Sequence, residues 1–385
     1  MSTLTQLQRI RQEMPATTAH IYLNTGTFGP LSTVAIQAMN KRMQDEWQDG
    51  RQGMAFFESM LANYSNARRR VGNLLHADEQ EIVLTHNTGE GMNVISYGID
   101  WHAGDEVITT NHEHINALAP LYQIRDRFGI TIRTADLGKS AERPLVEAIQ
   151  ELVTPRTRLI DVSHVTWTTG TVLDIKALGN FGREQNIPTL IDGAQSAGNI
   201  PVDVKDLNID FYAIPIQKWL CGPDGTGSLY IRREAMRYVM PTYVGFLSTR
   251  HEPNVEWELH GHAQRFEPGG HQSAAVAGID ATLTWLEESV GYAWIFERIS
   301  TLQAYAYQAL KEIPGLTILT PTAGASGILT FTLQGHDDSE MVTTLRDKYN
   351  IYIRNIPSIK ALRISTGFYN TEEDIDTLVR ALRQL

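Results

Sequence analysis

The sequence predicts an α/β protein: a large, mainly parallel seven-stranded sheet covered by helices on both faces, followed by a smaller C-terminal α/β unit. Three observations predict it. Short apolar runs of strand character alternate with amphipathic or capped stretches between residues 82 and 231. Two of those runs end in polar motifs, where open α/β sheets place their ligands. At 385 residues the chain also exceeds one usual core, so two domains are the natural division.

The strands are read in order as Ile82-Val-Leu-Thr85, Glu106-Val-Ile-Thr-Thr110, Thr131-Ile-Arg-Thr134, Arg158-Leu-Ile-Asp-Val-Ser163, Thr189-Leu-Ile-Asp192, Phe211-Tyr-Ala-Ile214 and Ser228-Leu-Tyr-Ile231. Between most of them lie helical patterns, for example Ile115 to Phe128 and Ala141 to Leu152. From Arg250 to His271 the chain is polar, rich in His, Gly and Glu, and without a clear period, so it reads as a long excursion. A helical pattern then runs from Ala274 through Leu310. Mixed signals such as Gly327-Ile-Leu-Thr-Phe-Thr332 and Thr371 to Leu382 suggest the smaller unit. The division expected is an N-terminal segment 1–20, a large domain 21–250, a connecting excursion 251–273, and a linking helix with a small domain 274–385.

Composition narrows the function. Hydrophobic residues at 42% and charged residues at 20% allow a sizeable core and argue against disorder. A formal charge of −11 disfavours nucleic acid or an anionic membrane as the main partner. The single cysteine, Cys221, excludes an internal disulfide framework and is compatible with a reducing cytoplasm. No signal-peptide pattern opens the sequence and no apolar run is long enough to span a bilayer, so a cytoplasmic protein is expected.

The chemistry centres on Thr-Leu-Ile-Asp192-Gly-Ala-Gln195-Ser and Phe-Tyr-Ala-Ile-Pro-Ile-Gln217-Lys218-Trp219. A carboxylate and an amine at one sheet edge suit pyridoxal phosphate (PLP). That cofactor needs a lysine to hold its aldehyde as an imine and an anion to keep its ring nitrogen protonated. Spacing alone describes solvated strand ends or a structural pair equally well. A second feature is Asn87-Thr88-Gly89-Glu90-Gly91-Met92-Asn93, which follows the first strand and leads into a helix. Such a turn aims backbone N–H groups at an anion, though an ordinary N-cap has the same composition.

His112-Glu-His114 puts two imidazoles on one face of an extended strand, and His260-Gly-His262 repeats the pattern. Zinc usually wants three or four ligands, and no suitable set accompanies either pair, so no metal site is expected.

Asp192-Gly-Ala-Gln-Ser, Lys218 followed by Trp-Leu-Cys-Gly-Pro-Asp-Gly-Thr-Gly, and Leu-Arg363-Ile-Ser-Thr-Gly-Phe-Tyr-Asn-Thr-Glu-Glu-Asp-Ile-Asp together resemble the class V aminotransferase family of fold type I PLP-dependent enzymes. That family includes cysteine desulfurases, cystine C–S lyases and isopenicillin N epimerase. The resemblance runs from about Tyr22 to the C-terminus. It implies the two-domain division above, with the N-terminal residues packing on the small domain, and a homodimer.

It also implies roles. Lys218 would hold the cofactor and carry the Cα proton, Asp192 would pair with the ring nitrogen, and Gln195 would reach the phenolic oxygen. Ala194 would leave room for the ring. His114, in the family's Glu-His position, would stack on it. Thr88, Gly89 and Glu90 would contact the phosphate, mostly through backbone. Arg363 matches the arginine that pairs with an amino acid α-carboxylate, and Arg354 resembles a site arginine of the lyase branch. A lone arginine near a C-terminal strand is otherwise a surface ion pair.

Departures bear on the reaction. Family lysines usually follow Ser or Thr, any residue, then His, whereas here the positions are Pro215, Ile216 and Gln217. Gln217 can still donate a hydrogen bond and Pro215 cannot. Gly270 stands where a partner-subunit threonine often reaches the phosphate; its backbone N–H, or the His271 side chain, would compensate. The loop Asn355-Ile-Pro-Ser-Ile-Lys-Ala-Leu362 lacks the sulfur-accepting cysteine of desulfurases, and Cys221 reads as a small packed residue. Desulfurases usually have Asn at the position of Trp167. The cystine lyase branch has Trp in a similar Ser-His-Xaa-Xaa-Trp-Xaa-Thr-Gly setting, and Thr-Tyr243-Val-Gly-Phe also resembles that branch. The resemblance thus implies β-elimination on cystine, a cysteine S-conjugate or a sulfoxide. Epimerisation and transamination are the nearest alternatives. A persulfide-relay desulfurase and a non-catalytic family member stand further off.

Overall fold

The computed structural model describes residues 4–250 and 257–385; the rest of the N-terminal segment and of the excursion lie outside the described residues. Its centre is a seven-stranded sheet. The strands are β1 (Ile82–Thr85), β2 (Glu106–Thr110), β3 (Thr131–Ala135), β4 (Thr157–Ser163), β5 (Thr189–Asp192), β6 (Phe211–Pro215) and β7 (Gly227–Ile231). They lie in the order β1-β7-β6-β5-β4-β2-β3. Only β7 runs antiparallel to its neighbours.

Continuous apolar runs form these strands because both faces are covered. On one face Ile82, Leu84, Ile108, Ile160, Val162, Ile191, Tyr212 and Ile214 join one core. The alternate residues Val83, Val107, Leu159, Leu190, Phe211 and Leu229 join another beneath the helices Thr88–Gly98 and Ile115–Phe128. The edge strand β3 is the exception: four of its five residues are exposed or half-buried. Strand order reverses between β2 and β4, which opens the crevice where such sheets bind ligands.

A second, antiparallel sheet is formed by β8 (Leu316–Ile318), β9 (Ile328–Leu333), β10 (Arg354–Ile356) and β11 (Ala361–Ser365), ordered β8-β9-β11-β10. Leu329, Phe331, Leu362 and Ile364 pack there with Leu302, Leu345 and Leu378 of three flanking helices. The first helix, Gln6–Glu13, is tied to the C-terminal part of the chain. Arg11 pairs with Asp374 at 3.2 Å, and Gln6 Nε2 donates to the Val290 carbonyl at 2.8 Å. Ile21 and Tyr22 add a short parallel pairing to Ile351 and Tyr352.

Two helical readings are corrected. The stretch expected from Ala141 to Leu152 is helical only over Leu145–Gln150, because Ala141 sits at φ 53° and Pro144 precedes the first turn. The pattern from Ala274 through Leu310 is two helices, Ser273–Thr284 with a π-turn to Val290 and then Tyr292–Lys311. Gly291, at φ 88°, supplies the break. Among the described residues no helix is long and apolar enough to cross a membrane.

Candidate active site

Asp192 ends β5 and Lys218 follows the end of β6, its parallel neighbour, so both emerge at the same sheet edge. Asp192 is buried, and its Oδ1 accepts the Ala194 N–H at 2.8 Å. Burial pushes its carboxyl up, while Lys218 and the Ala194 N–H pull it back. The Lys218 amine is pushed down to about 8 by burial and by Arg363 and Arg354, against the opposing pull of Asp192. At neutral pH a minor but substantial share of this amine, roughly a tenth, is therefore unprotonated.

The second sheet supplies the cations. Arg354 and Arg363 face one another across β10 and β11. Arg363 is fully buried, yet its contacts are neutral: Nη1 donates to the Trp167 carbonyl at 2.8 Å, Nη2 approaches Thr27 Oγ1 at 3.4 Å, and Nε has no partner. Burial and Arg354 push it down to about 9. Half-buried Arg354 donates to the Asn355 carbonyl and Thr27 Oγ1. Among the described residues neither guanidinium has a carboxylate within 4.0 Å. A buried cation without an anion marks a place for a ligand's negative charge.

His114 is the N-cap of the helix Ile115–Phe128, and its Nδ1 accepts the Asn116 N–H at 3.2 Å, which places its proton on Nε2. Burial, Lys218 and both arginines push the ring down to about 4, so it is neutral at working pH. It stands edge-on to Trp167, with centroids 5.2 Å apart, and the Arg354 guanidinium lies 5.8 Å from the same indole. His112 does not share its face as a regular strand would require. The strand has ended at Thr110, and His112 is buried against the Gly138 carbonyl and Thr168.

At the other end of the site, Asn87 caps the helix Thr88–Gly98. Its Oδ1 accepts the Glu90 N–H at 2.9 Å, leaving Thr88 and Gly89 as the N–H groups without an intrahelical acceptor. The Glu90 carboxylate takes the His86 N–H at 2.6 Å and its ring at 2.8 Å. Gly227, paired with Pro215, lets β7 pass against Asn87: a Cβ there would sit 2.8 Å from the Asn87 Cα. This close approach brings the Lys218 arm beside the helix end. Gln217 Oε1 is buried without a hydrogen-bond partner among the described residues. Gln195 donates one Nε2 hydrogen to the Gly26 carbonyl and accepts Trp219 Nε1 on its Oε1, each at 2.9 Å. Gly270 is exposed at φ 85°, and the adjacent His271 ring lies 5.1 Å from His86.

Sequence reading missed the segment from Asn24 to Gly29. Thr27 bridges toward both arginines and donates to Asn24 Oδ1 at 2.8 Å. Thr25 Oγ1 and the Gly29 N–H bond to the Lys218 and Gln217 carbonyls. A Cβ on Gly26 would meet Ser365 Oγ at 2.7 Å and Arg363 Nη2 at 3.1 Å. The run Asn-Thr-Gly-Thr-Phe-Gly was the available signal, a turn composition directly after an apolar pair.

The edge of the central sheet thus carries a lysine and a buried carboxylate, and the second sheet brings one buried and one half-buried arginine toward them. The chain belongs to the class-V aminotransferase family, whose model matches residues 21–378. It is 27% identical over 393 residues to a probable cysteine desulfurase of Methanothermobacter thermautotrophicus, covering 98% of this chain and 97% of that one. It is 30% identical over 342 residues to a cysteine desulfurase of Klebsiella pneumoniae, covering 84% and 82%. Among solved structures it is similar to the cystine C–S lyase C-DES in complex with its reaction product cysteine persulfide. That match has a TM-score of 0.92 at 28% identity, covering 97% and 99% of the two chains. A C-DES mutant with glycine covalently linked to its PLP cofactor gives the same TM-score at 27% identity, with the same coverage. The protein is a PLP-dependent enzyme of fold type I.

Proposed function

We propose that this enzyme is a carbon–sulfur lyase acting by β-elimination on a cysteine-derived amino acid such as cystine, an S-conjugate or a sulfoxide. One observation carries the choice over a persulfide relay. The only cysteine, Cys221, is fully buried, its Sγ lies 3.8 Å from the Trp219 carbonyl, and burial pushes its thiol up to about 12. A neutral, enclosed thiol is a poor nucleophile.

The residues fit the cofactor. The Thr88 and Gly89 N–H groups at the helix end lack intrahelical acceptors, and Asp192 is a buried carboxylate whose charge and that of the lysine favour one another. Lys218 would hold PLP, Asp192 would pair with its ring nitrogen, His114 and Trp167 would wall the ring, and Thr88 and Gly89 would meet its phosphate through backbone N–H. Ala194 leaves space, while Gln217, Glu90 and Gly270 flank the phosphate end. Gln195 fixes Gly26 and Trp219, and the second hydrogen of its Nε2 would reach the phenolic oxygen. When bound, PLP supplies an electron sink for the pair released at the substrate Cα.

Arg363, with Arg354 beside it, takes the substrate carboxylate and so fixes which Cα bond is aligned. Lys218 Nζ, as a free amine, would take the Cα proton; its depressed pKa suits a base near neutrality. The Cβ–S bond breaks with its electron pair on sulfur. Hydrolysis of the three-carbon remainder then gives pyruvate and ammonia. We further propose a cytoplasmic homodimer: Trp47, Met54, Tyr243 and Phe246 are more than half exposed, an apolar surface suited to a second copy.

Screening amino acids by mass spectrometry tests the reaction. Pyruvate from cystine or S-substituted cysteines is expected. Racemised substrate or a keto acid retaining the side chain would replace the lyase reading with epimerisation or transamination.

A further inference from the structure

Three carboxyl groups are buried behind the sheet edge, and one of them has a cation. Asp192 is coupled to Lys218. Asp161, on β4, is fully buried, and neither of its carboxyl oxygens has a hydrogen-bond partner among the described residues. Glu113, also buried, receives the Thr110 and Ser163 hydroxyls, one on each oxygen, at 2.5 Å. The β4–β5 register pairs Ser163 with Asp192, so Glu113 reaches Asp192 through one intervening residue. Glu113 also anchors the ring platform, because its carbonyl accepts Trp167 Nε1 and the next residue is His114.

An ionised carboxylate in a protein interior without a counter-ion is unstable and takes up a proton. Among the described residues Asp161 has neither cation nor donor. Glu113, set between two hydroxyls that can each accept as well as donate, has no cation within 4.0 Å among them. We propose that Asp161, and Glu113 on the acid side of neutrality, hold protons in the folded protein and act as positioning residues, so that the negative charge of this cluster resides there on Asp192. The proposal rests on the reading that Asp192 faces the cofactor ring nitrogen.

The electrostatic directions agree. Burial pushes Glu113 up to about 7, with Ser163 and Thr110 pulling it down and Asp192 pushing it further up. Asp161 is pushed well above the ordinary range by burial, then by Glu113 and Asp192. The titratable groups around Glu113 are Asp161 on β4, Asp192 on β5, Lys218 beyond it, and His112 and His114 on its own segment. As pH rises through about 7, Glu113 loses its proton. A second negative charge then sits behind Asp192 and strengthens proton binding at the ring nitrogen.

Two measurements test this. In cofactor-free protein, infrared spectra slightly below neutral pH should show buried carboxylic-acid C=O bands, one lost in Glu113→Gln and another in Asp161→Asn. In holoenzyme, the visible absorption of the bound cofactor should show a pH step near neutrality that disappears in Glu113→Gln. Ser163→Ala, which removes a donor to the ionised form, should move that step upward by roughly one to two pH units. A purely structural Glu113 would give no such movement. Absence of both infrared bands, or identical titrations in wild type and Glu113→Gln, overturns the proposal. Failure of the cofactor assignment looks different: no borohydride label would form at Lys218, while the infrared result would stand.

Discussion

On one side of the site the central sheet and the turn after β2 contribute three buried carboxyl groups, Asp192, Asp161 and Glu113, whereas the second sheet contributes two guanidiniums, Arg354 and Arg363. The acids are kept from mutual repulsion by hydroxyl donors, protons and the lysine. The arginines meet only carbonyls and the Thr27 hydroxyl. One side is thus settled within the chain, and the other waits for an anion. The cleft lies between a pre-organised proton site and an uncompensated cation site, and the amine that serves both sits where their fields oppose.

Removing the shared amine breaks the comparison most completely. Lys218→Ala should abolish cofactor attachment, with no borohydride-reducible chromophore and turnover at background. Labelling of a different lysine with unchanged absorption would move the site elsewhere. Asp192→Asn comes next. The cofactor should still load, but turnover should fall by roughly 10²- to 10⁴-fold, the usual span for a proton-holding group. The same variant has a pH signature: Asp192 holds the Lys218 pKa up, so without it the free amine should titrate below about 8. Near wild-type rates would show that the ring nitrogen has another partner.

On the cation side the expected effects divide. Arg363→Met should weaken amino acid binding by roughly 10- to 150-fold, the value of a charge-assisted contact, while leaving cofactor attachment intact. Cofactor-free protein should meanwhile become more stable, by about 1–3 kcal/mol, because a buried unpaired charge is replaced by an apolar chain of similar size. Thermal denaturation and substrate titration on one preparation check both halves. A destabilised variant with unchanged affinity would place the carboxylate elsewhere and make Arg363 structural.

This asymmetry also explains what the sequence disclosed. β1, β2 and β5 match their apolar runs because strands buried on both faces need no alternation. Asp192 and Lys218 stood out because each closes such a run, and Arg363 because of the motif around it. Asp161 did not, since one polar residue inside Arg-Leu-Ile-Asp-Val-Ser looks like an ordinary strand position until both neighbouring strands and a helix layer cover it. Thr27 was hidden differently: the pairing of Ile21-Tyr22 with Ile351-Tyr352 brings opposite ends of the chain together, and no local pattern encodes that. The break at Gly291 was missed because amphipathic periodicity continues on either side of it.

The smallest expected effect belongs to Cys221, and it bears on the choice of reaction. The residue lies in a tight turn at φ 57°, its N–H on the Lys218 carbonyl, with Gly29 packed so closely that a Cβ there would meet Sγ at 2.8 Å. Its surroundings hold the thiol neutral, unlike Lys218, whose environment favours the reactive form. Cys221→Ser should therefore keep activity within about threefold, with a stability cost of roughly 1 kcal/mol for placing a hydroxyl where a thiol packed. A persulfide carrier would behave oppositely: the serine variant would load cofactor and bind substrate yet release no sulfur, and wild-type protein after turnover would carry an extra sulfur on Cys221 by mass spectrometry. That pair of results would replace the proposed elimination with desulfuration, and would require the turn between Lys218 and Pro223 to open during each cycle.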